Sequence, residues 1–494
     1  MDLLAELVFI IMQKPSGLLD QYLPRNSKTR IFFGLLSTGN IQTDEQAAWE
    51  IYHTSPRDKK YLMLKRNLIN KLAEIVLVTQ YFDHSDYLSM EQECERELII
   101  VSKLLAQNVF HNAEKILNRV QETAKLYHLN EISIKCLRQI RTINTMKGYP
   151  EKVIECEKQM DPLLHTAYRL SKAIGWLSLL QSQVKYFISG NESLVKNAER
   201  YYKQLKEWEL TETNVFFRYY RYQIGIIKGL QTRDVNSVFI ELKLYGDLIS
   251  DHPHLNTIAD KLNLHYSYAL LYRMQKQFEK SVIYLEKCLE ISDYKAFNKF
   301  AIQAVHFDLH LKLNNYEKVA EIWEEVKKAP QFHLLFGPDK AAWSIRLAYF
   351  YYVLIKRKKA ELVKEVFPEW ERKFDLNLFS NQCKPVSKDK QGYNLMAMVV
   401  RLLILKEAKT LDLQNEGENL RIYFYRYLNT GKSSRTKIFV KALYKLAQSD
   451  FNKTEIPDKS AYFFNKMEET DATATLDMAE LVMYEELWNL ICSE

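Results

Sequence analysis

HYSYALLYRMQKQFEKSVIYLEKCLEISD, residues 265–293, decides the fold. It is the clearest of many segments whose apolar residues recur at helical spacing around short polar breaks. The same pattern stands out at 113–127. Ala113, Ile116, Leu117, Val120, Ala124 and Tyr127 follow i, i+3, i+4, i+7, i+11, i+14, while Asn112, Glu114, Lys115, Asn118, Arg119, Glu122 and Lys125 fill the other face. That is an amphipathic helix with one buried stripe. Nearly the whole chain reads this way, as helices of about 12 to 18 residues. At GYP, Gly148 suits the left-handed position that closes a helix and Pro150 the first turn of the next.

In 265–293 the small residues Ala269, Ser281 and Cys288 and the large residues Tyr268, Tyr272, Phe278 and Leu285 resemble the pattern of the tetratricopeptide repeat family. The resemblance implies a pair of antiparallel helices that approach closely where the crossing lacks bulk, with the neighbouring pair filling the remaining groove. Taking the large residue that opens the second helix as a marker, copies begin at Phe110, Tyr149, Phe278 and Tyr316, with echoes near Asn191, Asp234 and Lys359. The resemblance covers roughly 91–375 and implies a right-handed superhelical α-solenoid. Residues 1–90 read as a helical N-terminal head or cap, with a capping-box signal at Thr43 and Gln46. The polar run Ser380–Asn394 reads as a linker or long loop, and 395–494 as helices that continue or cap the array.

Composition agrees with an all-α chain. Thirteen glycines and 11 prolines in 494 residues are less than half the usual share of about 12%, which argues against β-sandwiches, barrels and doubly wound nucleotide-binding folds. A hydrophobic fraction of 47% excludes general disorder. The six cysteines form no Cys-x-x-Cys and suggest reduced thiols in a cytoplasmic protein. Asp2 and Glu6 stand where a secretory leader needs Lys or Arg, and no apolar run reaches the 18 or so residues of a membrane span, so no membrane insertion is expected.

The net charge of +7 hides an asymmetry. From Lys466 to Glu494 eight acidic side chains accompany one basic one; such an end can dock back on the basic body or be a partner's handle, and a solvated acidic cap is expected ahead of either. Lys356, Arg357, Lys358 and Lys359 form the densest basic cluster, directly after the aromatic run Tyr349–Tyr352. They are the candidate partner-binding residues, although a turn at a helix C-terminus also welcomes cations. The head carries nine basic residues against five acidic ones between 25 and 75, too weak a signal to favour nucleic acid.

Catalytic motifs are missing. GKSS at 431–434 matches the end of a phosphate-binding loop, but Arg426 stands where its first glycine belongs. His306 and His310 lie one helical turn apart, yet Phe307 replaces the glutamate of the zinc-protease motif and no third ligand is evident. They read as packing residues, and His252-Pro253-His254 as an exposed loop. Sequence reading therefore expects no enzyme, no cofactor and no metal. The expected function is a protein–protein interaction scaffold with a concave helical surface for a protein or peptide. The alternative is a peptide- or ligand-sensing regulator whose basic head binds nucleic acid.

Overall fold

The computed structural model describes residues 2–13, 17–79, 87–186, 192–291, 298–368, 374–408, 413–429, 435–449, 451–452, 456–471 and 479–493. Every regular element among them is a helix. The chain divides into two compact units, Met1–Tyr127 and His128–Glu494.

The first unit holds α1 (Asp2–Gln13), α2 (Leu18–Tyr22), α3 (Lys28–Ser37), α4 (Asp44–Tyr52), α5 (Lys59–Val78), α6 (Tyr87–Ala106) and α7 (Phe110–Leu126). Leu4, Val8 and Ile11 of α1 share one core with Phe32 and Phe33 of α3 and with Leu68, Leu72 and Ile75 of α5. The capping box forms: Thr43 Oγ1 accepts from Gln46 N, and Gln46 Oε1 accepts from Thr43 N, each at 3.3 Å. Tyr61 Oη and Lys65 Nζ of α5 both donate to Asp44, which fastens α5 to the first turn of α4. On α7 the read stripe is buried at Ala113, Leu117, Val120 and Ala124, and the helix packs on α6.

The second unit begins with α8 (Asn130–Met146), α9 (Pro150–Tyr186), α10 (Glu192–Glu209), α11 (Val215–Thr232) and α12 (Val235–Asp251). It continues through α13 (Ile258–Met274), α14 (Phe278–Ile291), α15 (Asn298–Lys312), α16 (Tyr316–Lys328), α17 (Gly337–Lys356) and α18 (Ala360–Val366). The rest is α19 (Leu376–Cys383), α20 (Tyr393–Glu407), α21 (Leu413–Tyr423), α22 (Arg435–Gln448), α23 (Ile456–Asp471) and α24 (Tyr484–Cys492). Of the four marker positions, Phe110, Phe278 and Tyr316 each open a helix, while Tyr149 stands one residue before α9 opens at Pro150. The expected length of 12 to 18 residues fails at α9, which runs 37 residues through Pro162. No glycine or asparagine interrupts it before Gly175, and proline alone kinks a helix more readily than it ends one.

From α8 to α17 successive helices pack on one another, Trp323 of α16 lying against Trp343 of α17 with ring centroids 5.9 Å apart, and α9 also touches α11, α11 touches α13, and α15 touches α17. Cross-helix contacts show the pairs to be antiparallel. Ser281 Oγ donates to Ala269 O at 2.7 Å, and Cys288 Sγ to Leu262 O at 3.7 Å, so numbers rise on α14 as they fall on α13. All three small residues read from the sequence therefore lie at this crossing. On α11, a Cβ at Gly229 would stand 2.6 Å from Val238 Cγ2, so the approach of α12 requires glycine there.

Gly148 takes its expected left-handed backbone at φ +72°, but Asn108, His128, Arg233, Lys276, Asn314 and Lys358 adopt the same region without being glycine. Turns are thus closed at a local backbone cost of about 1–2 kcal/mol each, which is how so helical a chain manages with few glycines. Ser380–Asn394 is not a linker. Cys383 and Val386 are buried, and Asp389 accepts from Gly392 N and Tyr393 N at 3.1 and 2.9 Å to start α20. The cause is that Cys383, Val386 and Asp389 all turn inward, which a tally of polar residues does not register.

Candidate interaction site

Residues 479–493 are held by polar and apolar contacts from several helices. In α24, Tyr484, Leu487, Trp488 and Ile491 recur at i, i+3, i+4, i+7 and are all buried, while Glu485 and Glu486 favour its first turn. The Trp488 ring stacks on Phe463 with centroids 4.7 Å apart, and its Nε1 donates to Ser460 Oγ at 2.9 Å. Tyr484 stacks on Phe439 at 4.4 Å. The segment is thus not a solvated acidic cap. The apolar stripe, rather than the carboxylates beside it, decides the placement.

Cations hold this segment from four helices. Lys312 of α15 donates to Leu481 O at 2.7 Å, Lys356 of α17 to Ser493 O at 2.8 Å, and Lys406 of α20 to Ile491 O. Two of these carbonyls lie at the C-terminal end of α24, where a helix presents unsatisfied acceptors and negative potential. Arg435 of α22 grips Glu480 with Nη2–Oε1 2.8 Å and Nε–Oε2 3.1 Å, and reaches Glu485 at 2.7 Å.

The four basic candidates do not form one surface patch. Lys356 is engaged with Ser493 O and, at 3.3 Å, with Glu407. Arg357 pairs with Glu486 at 2.8 Å, Lys359 pairs with Glu317 of α16 at 3.3 Å, and Lys358 is exposed in the left-handed turn after α17. Two of the four therefore hold residues 479–493. Tyr349, Phe350, Tyr351 and Tyr352 beside them are buried and offer no face for a stacked base.

Beneath the segment lies a charged layer that the sequence did not disclose. Arg346 makes two bonds to Asp308, at 2.8 and 3.1 Å, and Arg273 stands 3.7 Å from the same carboxylate. All are buried. Burial pushes the Lys312 ammonium down to about 7, and Arg273 and Arg346 add to the depression while Asp308 and Glu480 oppose it. Arg273 Nε has no hydrogen-bond partner among the described residues.

Two further surfaces stand out. Tyr268, Tyr272 and Tyr284 stack between α13 and α14 with centroids 5.1 to 6.5 Å apart. All three are half-buried, with Lys280 over Tyr272 and Lys287 over Tyr284. An open cleft of about 510 Å³ lies among α19, α20 and α21, with Arg401 at its wall between Ser380 Oγ and Glu416, each 2.9 Å away. Its one thiol, Cys383, is pushed up to about 12 by burial and stays protonated, so it is no nucleophile at neutral pH.

His306 and His310 are buried with their Nε2 atoms 2.9 Å apart. His252 and His254 are not an exposed loop: both are half-buried against His128, with ring centroids 5.6 to 6.2 Å apart. The 3-10 turn Pro253–Leu255 anchors them through buried Leu255. Among the described residues no group of three ligating side chains is placed to hold a metal ion, and no helix is long and apolar enough to cross a membrane. In the head, Arg25 and Arg30 pair with Asp20 and Lys65 with Asp44, and Lys28 lies over the Tyr52 ring. GKSS at 431–434 lies outside the described residues. No family model matches the chain, and no curated protein matches it.

Proposed function

We propose that this chain is a cytosolic, non-enzymatic scaffold: a tetratricopeptide-like, right-handed superhelical array of helical pairs that presents an extended face to a protein or peptide partner. The observation that carries the reading is the tyrosine stack on α13 and α14, half-buried and flanked by lysines. Tyrosine supplies a large, rigid, amphipathic contact area at low entropic cost, and it is enriched in protein interfaces for that reason. The antiparallel pairs behind it supply the rigidity. The six free cysteines accord with a reducing compartment.

Affinity capture from the source cells with the full chain tests this reading, run beside Tyr268→Ser/Tyr272→Ser/Tyr284→Ser and with nuclease added. The expected result is a defined set of proteins, unchanged by nuclease and depleted at least tenfold by the triple substitution. Capture that nuclease abolishes, or that the triple substitution leaves intact, contradicts it.

A further inference from the structure

We propose that residues 479–493 are a resident ligand in cis, filling a groove among α15, α17, α20 and α22 that also accepts a partner segment of the same chemistry: an acidic amphipathic helix with aromatic and aliphatic anchors. This deepens the scaffold reading and rests on it, but concerns a different surface from the tyrosine stack.

Three observations converge. First, Lys312, Lys356 and Lys406 bind the segment through its backbone carbonyls. Such contacts do not read side chains, so another helix laid in the same direction makes them equally well. Second, the charges are complementary. Residues 479–494 carry four carboxylates and no basic side chain, against Arg357 and Arg435 on the walls. Third, the floor keeps hydrogen-bonding capacity that the resident segment does not use. Arg273, Lys312 and Arg346 are buried around Asp308, Arg273 Nε lacks a hydrogen-bond partner among the described residues, and the segment's direct hydrogen bond to Lys312 is from a carbonyl, with Glu480 acting without one. An incoming helix with a carboxylate at the Leu481 position replaces that carbonyl with a direct, charge-assisted bond. The resident holds the groove because covalent connection gives it a high effective concentration.

The test uses the full chain with a site-specific protease site placed between residues 474 and 475, so that cleavage leaves every residue in the sample. A fluorescent peptide of residues 479–493 is titrated onto intact and cleaved protein. The expected result is saturable binding to the cleaved protein at least tenfold tighter than to the intact one, weakened by salt, with helicity unchanged as the peptide exchanges. A charge swap at the exposed rim adds a second readout. Cleaved Arg357→Glu protein binds the native peptide several-fold more weakly and regains affinity for a peptide carrying Glu486→Arg. The proposal is overturned if a scrambled peptide of the same composition binds as well, if cleaved and intact protein bind alike, if the cleaved segment never exchanges, or if the protein loses helicity when it leaves. None of these results bears on the tyrosine face, so the scaffold reading stands or falls separately.

Discussion

Arg221→Ala is expected to lower stability by about 3–5 kcal/mol, the cost of leaving one partner of a buried ion pair alone. The Arg221 side chain is 1% exposed. Its Nη1 donates to both carboxylate oxygens of Glu241 at 2.8 and 2.7 Å, and its Nε lies 3.3 Å from Glu209 Oε1. Without the guanidinium, Glu241 keeps Tyr202 Oη at 2.6 Å as its remaining side-chain donor. The carboxylate has little freedom to move away, because Gly225 of α11 lies directly against it. Guanidinium unfolding should show a lower midpoint with an unchanged slope. Arg221→Met combined with Glu241→Leu should recover most of the loss, since the pair's attraction and its desolvation nearly offset. A single-substitution loss below about 1 kcal/mol, the range of exposed pairs, contradicts the buried geometry.

Stability should also fall steeply below about pH 6. Burial, with His310 and Lys318 adding to it, pushes His306 from 6.5 down to about 3. Burial and its histidine neighbours push His254 to about 4, and His128 moves the same way. Each folded-state value lies below the unfolded one, so under acid the unfolded chain takes up protons that the folded chain refuses. Stability is whole above about pH 6.5 and is lost as pH falls towards 3. His306 alone accounts for roughly 3 kcal/mol by pH 4. Unfolding midpoints measured from pH 7 to pH 4 should decline accordingly, and His306→Gln should flatten the slope. A flat profile over that range shows these imidazoles to be solvated.

The fold was legible in the sequence where one residue type decides a local geometry. Thr43 with Gln46, Gly148 with Pro150, and the small residues Ala269, Ser281 and Cys288 all stand where their chemistry placed them. The site was legible only in part. Lys356 and Arg357 were found as a cluster, but their partners Ser493 and Glu486 lie 137 and 129 residues away, and no periodicity links such positions. Glu480 reads like any surface glutamate until Arg435 is folded against it. Counting charges from 466 onward hid the stripe Tyr484, Leu487, Trp488, Ile491, because hydrophobic burial outweighs solvation of the few carboxylates beside it. Arg221, Arg273 and Arg346 were missed for a related reason: a lone arginine on a helix signals a solvent face unless a distant carboxylate meets it in the interior.

The central claim is that the α13–α14 face receives a protein. A photo-reactive amino acid at Tyr272 in the full chain, activated in the source cells, tests it most directly. The account predicts covalent adducts with one or a few defined proteins, absent when the same group is placed at exposed Leu210 and lost when Tyr268 and Tyr284 are changed to serine. Adducts to nucleic acid alone, or a protein pattern indistinguishable from that at Leu210, contradict it.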